Sequence, residues 1–246
     1  MSYHWNWSIL LAQTPSGEST YLGWLMSGLV TTAALSLSAW VIALAVGGVM
    51  GVLRTVPSRG WRAIAACYVE LFRNTPLLVQ LFLWYFVLPE VLPARLGEAY
   101  KSLHPMLQQF SAALICLGLF TGARVCEQVR AGIESLARGQ GPAGLALGLS
   151  LAQTYRHVLL PQAARIVVPP LSSEFVNVFK NSAVASTIGL LDLAAQGRQL
   201  LDYTAQPYES FIAVTLAFVL LNLVVLRLMR GLEAKTRLPA GTAALG

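Results

Sequence analysis

The chain has 246 residues, 56% of them hydrophobic and only 11% charged, well below the roughly 25% charged residues of an ordinary soluble domain. Its three cysteines, Cys67, Cys116 and Cys126, show no metal-ligand spacing and read as small buried side chains. The formal charge of +6 would suit a nucleic-acid binder, but its distribution along the chain fits a membrane protein better and excludes that class.

Residues 1–20 are polar yet carry Trp5, Trp7 and the run Ile9–Leu11. Tryptophan favours the membrane–water interface, so this stretch is expected to lie on the outer face. No Asp, Glu, Lys or Arg occurs from Ser19 to Leu53. That run exceeds the about 20 apolar residues of a membrane helix, and no cleavage-site pattern follows it. Five spans are predicted: Tyr21–Leu53, Ala63–Pro89, Gln109–Arg130, Ile166–Leu190 and Glu209–Met229. The second and fourth hold charges and prolines, which weakens their hydropathy. The expected fold class is therefore all-α integral membrane.

Basic residues set the orientation. Placing the N-terminus in the periplasm puts Arg54, Arg59, Arg62, Arg130, Arg138, Arg156 and Arg165 on the cytoplasmic side, opposed there only by Glu134 and Glu233. The C-terminus is then cytoplasmic. One transmembrane domain covers residues 21–237, and 238–246 are expected to form a loose tail. Within the spans, Gly47-x-x-x-Gly51 and Gly118-x-x-x-Gly122 would let helices approach closely.

Between the third and fourth spans, residues 138–161 are too polar to cross a bilayer. Gly139–Gly141 should break a helix, Pro142 should open a short one, and Gly148 should cap it, with Ser150 starting the next. A short amphipathic helix projecting between spans suits a groove on a partner.

Three ordered motifs carry a resemblance. The first is Arg138-Gly-Gln140, Ala146-Leu-Gly-Leu-Ser150 and Val158-Leu-Leu-Pro-Gln-Ala163; the others are Glu70-Leu-Phe-Arg-Asn-Thr-Pro76 and Phe179-Lys-Asn-Ser-Ala-Val-Ala-Ser-Thr-Ile-Gly189. Together they resemble the permease subunits of binding-protein-dependent ABC importers, in the polar amino-acid branch that includes the histidine and glutamate systems. The first motif resembles that family's EAA loop, although its triplet reads Pro142-Ala143-Gly144 and lacks the acidic residue. The stretch Leu119–Arg130 is similar to glutamate/aspartate permeases.

The resemblance implies the type I importer fold and an inner-membrane location. It implies, as partners, an ABC ATPase dimer, a second permease subunit of the same or a related chain, and a periplasmic amino-acid-binding protein. It also implies that Arg138, Gln140, Ala143, Leu147, Gly148, Leu151, Gln153 and Pro161 meet the ATPase. ATP would bind on that partner, with no cofactor on this chain. The sequence agrees, because no Walker A pattern is present: none of Lys101, Lys180 and Lys235 follows a glycine. Gly139-Gln-Gly-Pro-Ala-Gly144 imitates a dinucleotide fingerprint, but it lacks the preceding strand and the later acidic residue.

Ionisable groups at membrane depth are costly and mark function by default. Glu70 with Arg73, and Glu127 with Arg130, are spaced to neutralise each other as structural pairs. Arg124 is either a substrate anchor or a partner of Glu127. Lys180, Asn181 and Ser182, with Thr121, Asn74 and Thr75, complete the candidate substrate path. Two cations, Arg124 and Lys180, would suit the two carboxylates of glutamate or aspartate. Glutamine or a basic amino acid is the alternative substrate. In another class, the alternative is an ion-gradient carrier, which would be expected to show inverted repeats; no convincing internal repeat is seen.

Overall fold

A computed structural model describes residues 3–236; the expected tail at 238–246 lies outside them. The described residues are helical apart from loops and one isolated bridge between Gln13 and Thr20. The long helices are α1 (Tyr21–Leu53), α6 (Pro105–Glu134), α9 (Leu160–Asn181) and α11 (Pro207–Thr236). Between α1 and α6 lie α2 (Arg59–Asn74), α3 (Leu77–Phe82), α4 (Leu88–Val91) and α5 (Ala94–Lys101). The remaining α-helices among the described residues are α7 (Gln140–Ala146), α8 (Leu151–Thr154) and α10 (Leu193–Thr204), and short 3-10 or π-helical turns stand at Trp7–Leu11, Leu83–Val87, Tyr155–Leu159 and Ser182–Ile188.

Helices α1, α6 and α11 are each long and apolar enough to cross a membrane. The first coincides with its expected span because nothing charged interrupts it. The second expected span, Ala63–Pro89, is not straight: α2 and the segment Leu77–Val91 meet at 103°. Pro76 explains the break, since the residue before a proline is driven from helical to extended conformation, and Thr75 sits at φ −100°, ψ 130°. The fourth, Ile166–Leu190, is divided as well: α9 stops at Asn181 and a 3-10 helix, Ser182–Ile188, follows. Pro169 and Pro170 stand inside α9; they give no N–H, so two helical carbonyls lose their donors. With Glu174 and Lys180, they keep α9 from the apolar strength of a simple span.

The chain forms two compact units. Among the described residues, the first comprises 3–39, 76–118 and 177–224, and the second 40–75, 119–176 and 225–236. In the first, Tyr21 and Leu25 pack with Leu193 and Leu200, flanked by Trp24, Leu29, Val214 and Phe218. Asp192 caps α10: its Oδ1 accepts from the Ala195 N–H at 2.8 Å, while Oδ2 has no hydrogen-bond partner among the described residues. The residue is fully buried, and desolvation pushes its carboxyl up to about 6. The N-terminal segment is fastened to the same unit. Glu209, fully buried in the first turn of α11, accepts from the Tyr3 hydroxyl and, at 2.6 Å, from the Asn6 N–H.

In the second unit, α1 and α6 touch through glycine. A β-carbon on Gly51 would fall 2.6 Å from Cβ of Val129 and 2.8 Å from the Cys126 carbonyl oxygen. Opposite Gly122, the Tyr68 hydroxyl donates to the Leu119 carbonyl at 2.7 Å. Trp40 and Phe175 rings lie 5.1 Å apart. These contacts hold α1, α2, α6 and α9 around the charged groups described next.

Candidate functional site

The segment linking α6 to α9 is a built surface. Helix α7 begins at Gln140, two residues earlier than Pro142 suggests, with Gly139 as its N-cap. First-turn N–H groups have no helical acceptor, so Pro142 sits in that turn without losing a hydrogen bond. The helix ends where Gly148 adopts φ +82°, and the Leu149 N–H returns to the Gly144 carbonyl at 3.2 Å. This left-handed turn is the geometry for which glycine is suited. Ser150 then opens α8 with a reciprocal cap: its Oγ accepts from the Gln153 N–H, and the Gln153 side chain accepts from the Ser150 N–H at 2.7 Å. The spacing Ser150-x-x-Gln153 is the sequence signal for this box. It assigns Gln153 a local duty that the expected ATPase contact did not include.

A π-helical turn, Tyr155–Leu159, carries the chain into α9 and to Pro161, which is exposed. The Tyr155 hydroxyl lies 3.0 Å from Thr55 Oγ1, just beyond α1. Gln140 is half-buried and accepts from Gln162 at 3.3 Å. The outer face is apolar: Leu147 is 83% exposed and Leu151 41%, with Ala143 and Gly148 also exposed beside Arg138. The six glycine-fingerprint residues lie in α7 and its N-cap, and no strand precedes them among the described residues.

An ionic network closes the end of α6. Glu127 receives Arg54 at 2.7 Å and Arg130 at 2.7 Å, and Arg130 also reaches Glu134 at 2.5 Å. Glu70 and Arg73 are different: both are exposed, and no ion pair joins them among the described residues. Their three-residue spacing permits a contact that this geometry does not make.

Arg124 pairs with Glu174 of α9 at 3.2 Å, rather than with Glu127, and its guanidinium lies 5.5 Å from the Phe120 ring centre. A carboxylate fifty residues away could not be found from local spacing. Thr121 is buried, and its hydroxyl has no hydrogen-bond partner among the described residues. Asn74 is exposed at the end of α2, and the Thr75 hydroxyl donates back to Leu71 at 2.9 Å. In the first unit, Lys180 is exposed, without an ion pair among the described residues. The Ser182 hydroxyl donates to the Phe179 carbonyl at 2.8 Å. Asn181 and Ser182 line a cavity of about 10 Å³ with Leu35, Leu81 and Cys116, room for one water and not for an amino acid.

The described residues are helical, with two broken membrane segments and an exposed apolar helix between two of the long helices, which is the build of a multi-pass membrane protein. The profile of the binding-protein-dependent transport system inner membrane components matches residues 43–238, and the chain belongs to that family. It is a multi-pass inner-membrane protein with the permease fold of type I ABC importers. Among relatives, it is 57% identical over 240 residues to the glutamate/aspartate import permease protein GltJ of Escherichia coli K12, covering 97% of this chain and 98% of that one. The glutamine transport system permease protein GlnP of the same organism is 31% identical over 214 residues, covering 85% and 93%. A crystal structure of an amino acid ABC transporter with histidines matches with a TM-score of 0.74 at 30% identity, over 87% of this chain and 95% of that one.

Proposed function

We propose that the chain is the membrane-spanning permease subunit of an ATP-driven importer for glutamate and aspartate. The observation that carries this reading is the 57% identity over nearly the whole of both chains with a glutamate/aspartate permease. The chain crosses the membrane five times, counting the bent pair α2 with Leu77–Val91 as one span and α9 with its 3-10 extension as another, N-terminus periplasmic and C-terminus cytoplasmic. The excess of Lys and Arg on the α7 side supports that orientation.

A periplasmic binding protein delivers the amino acid, and a second permease subunit completes the path. ATP binds and is hydrolysed on a separate ATPase dimer; this chain holds no cofactor. The face formed by Arg138, Ala143, Leu147, Gly148 and Leu151 docks in the ATPase. The Ser150–Gln153 box stiffens the start of α8, and the Tyr155–Thr55 contact passes the displacement to the end of α1. In this reading, Arg124 and Lys180 receive carboxylates.

Glu174 favours a second reading, transport of a neutral polar amino acid such as glutamine, because it already balances Arg124. The deciding experiment is uptake into proteoliposomes holding the whole importer with its binding protein. ATP-dependent accumulation of labelled glutamate, outcompeted by aspartate and not by glutamine, is expected. Uptake driven by an ion gradient with no ATPase present would overturn the proposal.

A further inference from the structure

At the end of the second unit where α1 and α6 terminate, a cleft of about 420 Å³ opens between these helices and the first turns of α2. Four guanidinium groups line it, from Arg54, Arg59, Arg62 and Arg130, together with Glu134.

The four cations are not equivalent. Arg54 and Arg130 are matched to Glu127 and Glu134 by the ion pairs described above. Arg59 and Arg62 are exposed and have no ion pair among the described residues. The cleft therefore carries two uncompensated positive charges on planar forks, a donor set that fits phosphate oxygens bidentately.

Its level in the fold identifies the source of the phosphate. The cleft lies at the ends of two helices that satisfy the length and hydropathy of membrane spans, which is where hydrocarbon gives way to headgroups. Helix α2 divides at this level. At 100° per residue, Arg59 and Arg62 share one side with the alanines that floor the cleft. Trp61 and Ile64 fall on the other side and are 53% and 54% exposed. A tryptophan and an isoleucine on one side of α2, with exposed arginines on the other, suit a helix lying at the interface.

We infer that this cleft binds the phosphodiester headgroup of an anionic phospholipid from the surrounding leaflet, held mainly by Arg59 and Arg62. A basic recess between membrane helices is the expected form of such a site. The inference rests on the chain being embedded in a bilayer and is independent of which amino acid it carries.

The test is native mass spectrometry of the intact importer, released from membranes of equal phosphatidylglycerol and phosphatidylethanolamine. The wild-type protein should retain phosphatidylglycerol in preference. Arg59→Gln and Arg62→Gln should each lower that preference by about fivefold, and the double variant by the product. Neither residue holds an ion pair among the described residues, so the melting temperature of the variants should match the wild type. Equal retention of the two lipids, or a double variant that keeps the wild-type preference, overturns the inference. Displacement of the lipid by millimolar inorganic phosphate would also overturn it, marking a site for soluble anions. Loss of the preference only when the ATPase is stripped away would overturn it in favour of a protein contact.

Discussion

Gly144 and Thr154 fill one space between α7 and α8: a β-carbon on Gly144 would lie 2.8 Å from Cγ2 of Thr154 and 3.0 Å from its hydroxyl oxygen. Thr154 is itself buried, and its hydroxyl donates to the Ser150 carbonyl at 3.0 Å. The triplet Pro142-Ala143-Gly144 therefore ends in glycine for a steric reason. Gly144→Ala should destabilise the chain by about 1–3 kcal/mol, the usual cost of overpacking. Adding Thr154→Ala should recover most of that loss, because it removes the two closest atoms, Cγ2 and the hydroxyl oxygen, and leaves Cβ at 3.4 Å. A double-mutant cycle on thermal unfolding of the detergent-solubilised protein checks it, and additive effects would refute the shared space.

The capping box separates a local from an external role for Gln153. Gln153→Glu keeps an acceptor for the Ser150 N–H and should leave stability unchanged. Gln153→Ala should cost about 1 kcal/mol. ATPase co-purification with both variants decides whether the side chain also faces the partner: a pure cap predicts that Gln153→Glu binds normally.

Arg124 and Glu174 should respond in opposite directions in transport. If the guanidinium serves a substrate carboxylate, Arg124→Gln should raise the apparent KM for glutamate by about tenfold or more. Glu174→Gln should lower it, since the arginine charge is then undivided. Uptake kinetics across a substrate series measure this. Two variants with unchanged KM and lowered melting temperature would make the pair purely structural.

Helix approach at Gly47 should tolerate nothing larger. A β-carbon there would collide with the Gly122 carbonyl oxygen and lie 2.7 Å from Cβ of Val125. The backbone cannot swing aside as a long side chain would, so Gly47→Ala should lower the amount of folded protein in membranes, while Gly48→Ala, with open space around it, should not. Quantitative blotting of membrane fractions compares them.

Asp192 gives stability a pH signature. Its carboxyl stands at about 6 when folded, against an ordinary value of 3.8. The folded state then holds a proton that the unfolded state releases earlier, so this group's contribution is full below about pH 4 and is lost as pH rises through about 6. The wild-type melting temperature minus that of Asp192→Asn should fall over that window and stay level above it. A difference independent of pH would place the carboxyl at its ordinary value.

Much of this architecture could be read without coordinates. Helix α1 was legible because an uninterrupted apolar run leaves one physical option in a membrane. The Gly148 turn and the Ser150 start were legible because caps use local hydrogen bonds. The bend at Thr75–Pro76 was not, since a hydropathy window averages across it even though Pro76 was in plain view. The partner of Arg124 was not legible in the sequence. Its nearer acid, Glu127, is engaged by Arg54 and Arg130, and only the folding of α9 beside α6 brings Glu174 into reach.

The fastening of Tyr3 and Asn6 to Glu209 bears on how the protein is made. These groups are separated by about two hundred residues, and the carboxylate they satisfy is wholly enclosed. During synthesis residues 3–6 are made well before the start of α11, which carries the acceptor Glu209. The clasp can close only after Glu209 has been made, and protection of the Asn6 amide from solvent exchange would report that the start of α11 has reached its place.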